Sequence, residues 1–329
     1  MIRGIGSNGG SSVSHPSDMI LCCGDALIDM LPRKLPGGES ALLPVTGGAA
    51  FNTAIALGRL GVPAGFLSGL SSDLFGRRLE ADLRYSGVNY SVCKRSNRPT
   101  TLAFVEMAGK DARYSFYDEG TAGRMLAAND IPKLHDGIQA LHFGALSLMQ
   151  EPCGTTYETI ARREAERRVI SLDPNIRSDA IQNERAYRDR LFRLVALSDI
   201  VKVSVDDLAW IDPKNDASTI REWISGGTSI VVLTNGARGA TAYTANGEIQ
   251  IPAREVNVVD TVGAGDAFGA GMLAGLFRLG LMTKPALAQA SIEDIEQALQ
   301  LASEVASVVV SRVGANPPWR HELSVPRGS

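Results

Sequence analysis

The chain has 329 residues, 44% hydrophobic and 21% charged, with a formal net charge of −3 at pH 7 and a pI near 5.9. These are the proportions of an ordinary globular protein, and nothing in the charge directs it to nucleic acid or a membrane surface. No apolar run approaches transmembrane length, and Cys22, Cys23, Cys93 and Cys153 show neither a C-x-x-C spacing nor a disulfide framework, as expected of a cytoplasmic chain.

Residues 1–18, MIRGIGSNGGSSVSHPSD, are Gly/Ser-rich. Gly4, Gly6 and Gly9 satisfy G-x-G-x-x-G, but with no strand before and no helix after them the segment reads as a flexible tail. Residues 320–329 read as a second tail, and SVPRGS at its end resembles a protease-cleavage linker. The folded domain is expected over 19–319.

Met19–Cys23 reads as a short buried strand, broken at Gly24-Asp25 and resumed at Ala26–Met30. Asp25 and Asp29 either close a turn or present carboxylates at the carboxyl edge of an open α/β sheet. Leu31–Thr46 reads as loop or exposed edge strand. Gly47-Gly48 precedes a helix over Ala49–Leu60, which Gly61 ends. The two glycines form a connector or a place where backbone approaches a ligand, and Asn52 caps the helix or binds a hydroxyl. A strand over Val62–Leu70 and a helix from Asp73 to about Tyr85 continue the alternation that predicts a parallel sheet.

The pattern then departs from α/β alternation. Thr100–Met107 and Arg113–Tyr117 read as a hairpin across Ala108–Ala112. Together with 31–46 it predicts a small lid sheet, roughly residues 30–46 and 98–118. Strands are next expected over Ala140–Leu148 and Val169–Leu172, around a charged helix from Gly154 to Arg168. His142 is expected to be a partly buried strand residue. Asp173-Pro174-Asn175-Ile176-Arg177 follows the second strand as a Pro turn or a polar site cluster. Ile200–Val203 is a strand trailed by Ser204, Asp206 and Asp207, which either charge a helix start or hold a metal-bound water. Ser229–Thr234 leads into the turn Asn235–Gly239, and Ala240–Thr244 with Glu248–Ile251 reads as a hairpin.

Val256–Gly280, VNVVDTVGAGDAFGAGMLAGLFRLG, is the most specific stretch. The β-branched run Val256–Val259 predicts a buried strand, Asp260–Asp266 a glycine turn, and the remainder a helix. Strand, tight turn and helix start make an anion site, since free N–H groups and the dipole both favour negative charge there. Asp266, an acid beside that site, suggests a base acting on something that attacks a phosphate. Gly269, Gly271 and Gly275 would each cost roughly 1 kcal/mol relative to Ala in an exposed helix, so close packing against the sheet is expected. Two further helices over Ala286–Val310 and the loop Ser311–Pro318 complete the chain. The sum predicts an α/β, doubly wound, mostly parallel sheet flanked by helices, with a small β-sheet lid. There is no G-x-x-x-x-G-K-[ST], H-E-x-x-H, zinc spacing or G-x-S-x-G.

Asp260–Phe268, DTVGAGDAF, and Gly47-Gly48 with AAFNTAIALGRLG resemble the two signatures of the ribokinase (PfkB) family of carbohydrate kinases. CCGDALIDMLPR, RYSFYDEGTAGRM, SLDPNIR and VKVSVDDLAW are most similar to bacterial fructokinases, although Asp25 stands where those often carry Glu. The resemblance implies a ribokinase-like fold and ATP-dependent phosphorylation of a primary hydroxyl of a ketose, fructose first. A 2-keto-3-deoxygluconate kinase and a catalytically silent sugar-binding paralogue are the alternatives. It implies Asp266 as general base and the amides of Gly263, Ala264 and Gly265 as the anion hole, such donors contributing ~3–4 kcal/mol each. The helix start is expected to hold Asp266 ionised. Asp25, Asp29, Gly48, Asn52, Tyr117 and Arg177 would bind sugar, and Ser204, Thr234, Gly236 and Gly239 the nucleotide. Asp207 would hold Mg²⁺ through water, and Asp260 with the Val262 carbonyl and the 311–315 loop a monovalent cation, K⁺ being the candidate. A homodimer through the lid is a further implication.

Overall fold

The computed structural model describes residues 18–108, 111–213 and 217–323. The expected N-terminal tail up to residue 17, the hairpin tip Gly109-Lys110 and the segment 324–329 lie outside them.

An eight-stranded sheet forms the body. It starts with the buried strand β1 (Met19–Cys23), next to one edge, whose side chains alternate between two cores. Ile20 and Cys22 face one and Leu21 and Cys23 the other, so the adjacent cysteines lie on opposite sides of the sheet, both as free thiols. The chain then leaves the sheet through β2 (Leu27–Lys34) and β3 (Ser40–Gly47), forms α1 (Ala49–Arg59) and returns as β4 (Ala64–Leu67). A small parallel pair, β5 (Gly69–Ser71) with β6 (Lys94–Ser96), brackets α2 (Leu74–Tyr85), which Asp73 caps through Gly76 N–H. The hairpin β7 (Thr101–Ala108) and β8 (Asp111–Tyr117) joins β2 and β3 in a four-stranded lid, order β3-β2-β7-β8.

The body resumes with β9 (Ile138–Gly144), α3 (Cys153–Glu164), β10 (Val169–Asp173), α4 (Glu184–Leu197), β11 (Ile200–Ser204), α5 (Val205–Ile211), α6 (Ala217–Ser225) and β12 (Ile230–Thr234). The hairpin β13 (Ala240–Thr244) and β14 (Gly247–Ile251) closes one edge, giving β14-β13-β12-β11-β10-β9-β1-β4. Pairing is parallel from β4 to β12 and antiparallel beyond. Helices α7 (Ala264–Arg278), α8 (Lys284–Ala288) and α9 (Ile292–Val310) pack with α1 on one face, and α3 to α6 on the other. This is the doubly wound body with a small lid that the alternation predicts. Helices α4 and α6 were not legible in the charged stretches that form them.

Three expectations are corrected. Val256–Val259 is not a buried strand: it pairs with none of the described strands, β propensity alone not being enough to form one. Its valines are exposed, Val258 at 59%, and the segment is tied to the end of α9 by Val259 N–H donating to Val310 O at 2.7 Å. Gly271 and Gly275 pack against α9 and not against the sheet, since a Cβ on either would lie 2.7 Å from Ala302 Cα or 2.6 Å from Ala298 Cα. Only Gly269 faces the sheet. His142 is fully buried, its Nδ1 3.0 Å from Ser171 Oγ. At the C-terminus the fold continues past the expected boundary through a turn at Arg320–Glu322, and Leu323 packs on the core.

Candidate active site

Carboxyl ends of β1, β10, β11 and β12 meet the start of α7 at one edge of the sheet, where an open parallel sheet collects its functional groups. Helix α7 begins on Gly263, whose φ of 75° is left-handed and where a Cβ would sit 2.5 Å from Ala315 Cβ. Only glycine fits that turn. Ala264 N–H, one of three expected donors of the anion hole, closes the turn onto Thr261 O at 3.2 Å. Gly263 and Gly265 are therefore the two amides of the hole still to be satisfied.

Asp266 stands in the first turn of α7, only 7% exposed. Asn52 Nδ2 donates to its Oδ2 at 2.8 Å and Asn175 Nδ2 to its Oδ1 at 3.1 Å. Asn52 thus does not cap α1: it clamps the acid with one of its polar groups. Asn175 was not singled out from the sequence. Its only signal was the Asp-Pro-Asn turn, and its φ of 42° is one that Asn tolerates. Two donors leave a carboxylate roughly two of its four acceptor sites, enough for an incoming hydroxyl. Burial pushes the Asp266 carboxyl above the usual range, while the Asn52 hydrogen bond, Lys202, Arg177 and Asn175 oppose it. Burial thus works against the ionised form that the helix start is expected to favour.

One side of Asp266 is lined by acids. Asp25 Oδ2 accepts from Ala49 N–H at 3.0 Å, supplying the cap that Gly48 lacks, and a Cβ on Gly48 would come 2.5 Å from the Asp25 carbonyl. The diglycine is thus required by the approach of the acid. Asp25 Oδ1 is buried and unpartnered among the described residues, an acceptor facing a donor yet to arrive. Burial pushes Asp25 up to about 6, with Asp266 adding to it, and Asp29 up to about 7, with Asp25 and Asp266 adding. Arg177, which donates to the Asn175 and Ile176 carbonyls at 3.2 Å, offsets part of this.

The lid register separates its two tyrosines. Asp29 pairs with Val45 and Ala103, and Ala103 with Phe116, so the face that carries Asp29 also carries Tyr114, paired with Val105. Tyr117 pairs with Leu102 on the opposite face, is 64% exposed and packs edge-on against Phe104. The lid aromatic over the site is therefore Tyr114, with the Arg177 guanidinium 5.9 Å from its ring centre, and not Tyr117.

On the other side of Asp266 a cleft of about 470 Å³ opens between the β12 end, the 253–261 segment, α7 and α9. Thr234, Gly236, Gly239, Ala264 and Gly265 all line it, beside Ile251, Phe268 and Ala306. Three expected nucleotide residues and two of the three expected anion-hole residues thus share one mostly apolar space, while Gly263 stands outside its lining. Ser204 does not line it. Its hydroxyl caps α5, accepting from Asp207 N–H at 3.0 Å and donating to Asp207 Oδ2 at 2.7 Å.

Asp207 Oδ1 also accepts Ile176 N–H at 2.8 Å and Oδ2 accepts Ser204 N–H at 3.2 Å. Three donors leave about one acceptor site, which suits a metal-bound water but not direct ligation. No cluster of three or more His, Cys, Asp or Glu side chains that could hold a metal occurs among the described residues. Asp260 joins two loops, its Oδ1 accepting Val262 N–H at 3.0 Å and its Oδ2 Gly314 N–H at 2.9 Å. It therefore gathers the turn and the 311–315 loop expected around a cation.

A clamped acid at a helix start, between an acid-lined recess and a deep cleft with amides at its mouth, defines a phosphotransferase of small hydroxyl compounds. The comparisons agree. The chain belongs to the pfkB family of carbohydrate kinases, whose model matches residues 18–322. A fructokinase of Rhizobium leguminosarum bv. trifolii is 50% identical over 283 residues, 86% of each chain. The crystal structure of fructokinase with bound ATP from Xylella fastidiosa matches with a TM-score of 0.84 at 30% identity, covering 90% of this chain and 93% of that one. That of fructokinase from Vibrio cholerae O395 in a fructose, ADP and calcium bound form matches with a TM-score of 0.78 at 25% identity, covering 91% and 94%.

Proposed function

We propose that the chain transfers the γ-phosphoryl of ATP to a primary hydroxyl of fructose. The observation that carries this reading is Asp266, held by Asn52 and Asn175 between the Asp25–Asp29 recess and the nucleotide-sized cleft. The relatives named fructokinase, and the two crystal structures with ATP or with fructose and ADP, support the substrate pair. The sugar lies in the recess with hydroxyls donating to Asp25 and Asp29, and Arg177 and Tyr114 cover it. Asp266 takes the proton of the primary hydroxyl as its oxygen attacks the γ-phosphorus. The bond to the bridging oxygen breaks and ADP leaves with that electron pair. The amides of Gly263 and Gly265 meet the charge on the transferring group. Asp207 would hold Mg²⁺ through water, and the ion would neutralise phosphate charge there. Asp260 would hold a monovalent cation between the turn and the 311–315 loop.

The outer lid face carries exposed Leu42 and Tyr117, a surface that a second copy would cover. We read it as a homodimer contact, and sedimentation of Tyr117→Glu against wild type checks that. The reaction belongs to the cytoplasm, where ATP is supplied and where Cys22, Cys23, Cys93 and Cys153 remain free thiols.

The deciding assay follows ADP release with ATP and Mg²⁺ against fructose, 2-keto-3-deoxygluconate, ribose and adenosine. Turnover on fructose is expected. No turnover on any of them would leave a silent binder, and turnover on the keto acid alone would move the substrate. Asp266→Asn is expected to lose at least about 10³ in kcat while still binding nucleotide.

A further inference from the structure

One buried cation has no part in the chemistry described so far. Lys202, on β11, is 5% exposed, and its Nζ donates to Asp173 Oδ2 at the end of β10 at 2.7 Å. Asp173 Oδ1 is buried and has no partner among the described residues. A Cβ built on Gly265 would lie 3.2 Å from Lys202 Nζ, and one on Gly269 would lie 3.9 Å from Lys202 Cδ. The lysine therefore runs along the inner face of the first turns of α7, and its ammonium ends against the residue preceding Asp266. As filler for the sheet the pair is a poor choice, because desolvating two charges usually offsets what their attraction returns. Two packed apolar side chains would hold β10 to β11 at least as well. Its location supplies the missing reason.

We propose that Lys202, held by Asp173, is a positioning residue of the phosphoryl transfer: its ammonium keeps the Asp266 carboxylate ionised and places positive charge beneath the anion-binding turn. This rests on the reading of Asp266 as the base. The groups that face Asp266 are Asn52 from α1, Asn175 and Arg177 from the segment after β10, Lys202 from β11, Asp173 at the end of β10, Tyr114 from the lid, and the acids Asp25 and Asp29 from the sugar side. Burial raises Asp266, and of the two cations opposing it Arg177 lies on the partly open sugar side. Lys202 sits where water does not screen it, so its charge acts at a lower effective dielectric. Burial works against the Lys202 charge as well, but Asp173 outweighs it and leaves the lysine above its ordinary range. Asp207 also favours the Lys202 charge, and burial raises Asp173 itself to about 6, with Lys202 opposing. His142, also near Lys202, is pushed by burial down to about 3, with Lys202 adding to the effect, so it stays neutral.

The test is the pH dependence of kcat/KM for sugar in Lys202→Met, Lys202→Arg and Asp173→Asn. Its acid limb reports the base of the free enzyme. Removing the cation in Lys202→Met is expected to move that limb to higher pH, so that kcat/KM near pH 6 falls about tenfold more than it does near pH 8. Lys202→Arg keeps the charge and the limb. Removing the counter-anion in Asp173→Asn moves the limb the opposite way, to lower pH. That variant keeps an amide oxygen that can still accept from the Lys202 ammonium, so it decides the matter should Lys202→Met fail to fold. A limb unmoved in Asp173→Asn, with only the amplitude reduced, would overturn the proposal and leave the pair a strand clamp. Failure of the underlying reading looks different: it would appear as turnover surviving Asp266→Asn, or as a wild-type enzyme inert on every sugar.

Discussion

Asn52 and Asp266 are 214 residues apart in sequence, yet the Asn52 amide donates to Asp266 Oδ2 at 2.8 Å. The first turns of α1 and α7 thus meet at the base. Asn52→Ala removes a donor from a buried carboxylate that burial already pushes toward its neutral form. Loss of that hydrogen bond loosens the carboxylate and raises its pKa further. Steady-state kinetics of Asn52→Ala should show kcat down about 10²-fold, the scale of a small misplacement of a reacting group. The acid limb of the rate profile should move to higher pH. An unchanged kcat would remove Asn52 from the clamp.

The second prediction concerns stability against pH. Burial raises Asp29 to about 7, with Asp25 and Asp266 adding. Its folded-state pKa lies above its unfolded value, so the native state binds the extra proton between about pH 4 and 7. Stability is therefore lost as pH rises through that window, and the full cost is present above it. Asp29→Asn without sugar should be more stable than wild type at pH 8, by roughly 2–4 kcal/mol, and indistinguishable from it near pH 4. The same variant should bind sugar poorly. Thermal melts at the two pH values decide it, and an equal difference at both would sink the idea.

Within α7 the glycines should separate cleanly. Gly275→Ala drives a methyl to 2.6 Å from Ala298 Cα, a backbone atom that cannot step aside. Denaturant unfolding should show about 1–3 kcal/mol lost. At Gly269 the nearest atom to a new Cβ is Lys202 Cδ at 3.9 Å, ordinary contact. Gly269→Ala should be neutral or stabilising by up to about 1 kcal/mol through helix propensity.

The lid register makes a prediction about its aromatics. Tyr114→Ala uncovers Arg177 and should raise KM for sugar at least about tenfold, with the nucleotide KM little changed. Tyr117→Ala, on the outer face, should leave the sugar KM within about twofold, since exposed residues away from a site contribute little. Equal effects from both would overturn the assignment of lid faces.

Ala306 on α9 lines the large cleft and the acid recess does not reach it. Ala306→Trp should fill the cleft and raise KM for ATP more than about tenfold, while sugar binding measured by calorimetry persists.

Local signals made part of this site readable. DTVGAGD declares its turn because glycine spacing and an acid at a helix start are properties of neighbouring residues. Asp25, Asp29 and Gly48 stand between turn and site readings when taken alone, and only the resemblance gives them a sugar. Lys202 was not, because VKVS reads as an apolar strand with one interruption. Its meaning depends on β10 lying beside β11 and α7 lying above, which are facts of topology. Tyr117 was chosen over Tyr114 because face assignment needs a register, and a strand sequence with aromatics at 114, 116 and 117 does not supply one. Val256–Val259 misled through β propensity, which describes a residue's fit to a sheet but cannot say whether an edge is available. Nearly all of the body and lid could be anticipated, while the clamp on the base could not.

Asp25 and Asp29 are four residues apart, but they stand by different sheets: Asp25 follows β1 of the body, and Asp29 lies on β2 of the lid. On the proposed reading, a sugar bound to both would be a fastener between the two sheets, its hydroxyls holding the lid over the place where the nucleotide reacts. ATP alone would engage only the body side. Water, which cannot span the two acids in this way, would be a poor substitute for the sugar.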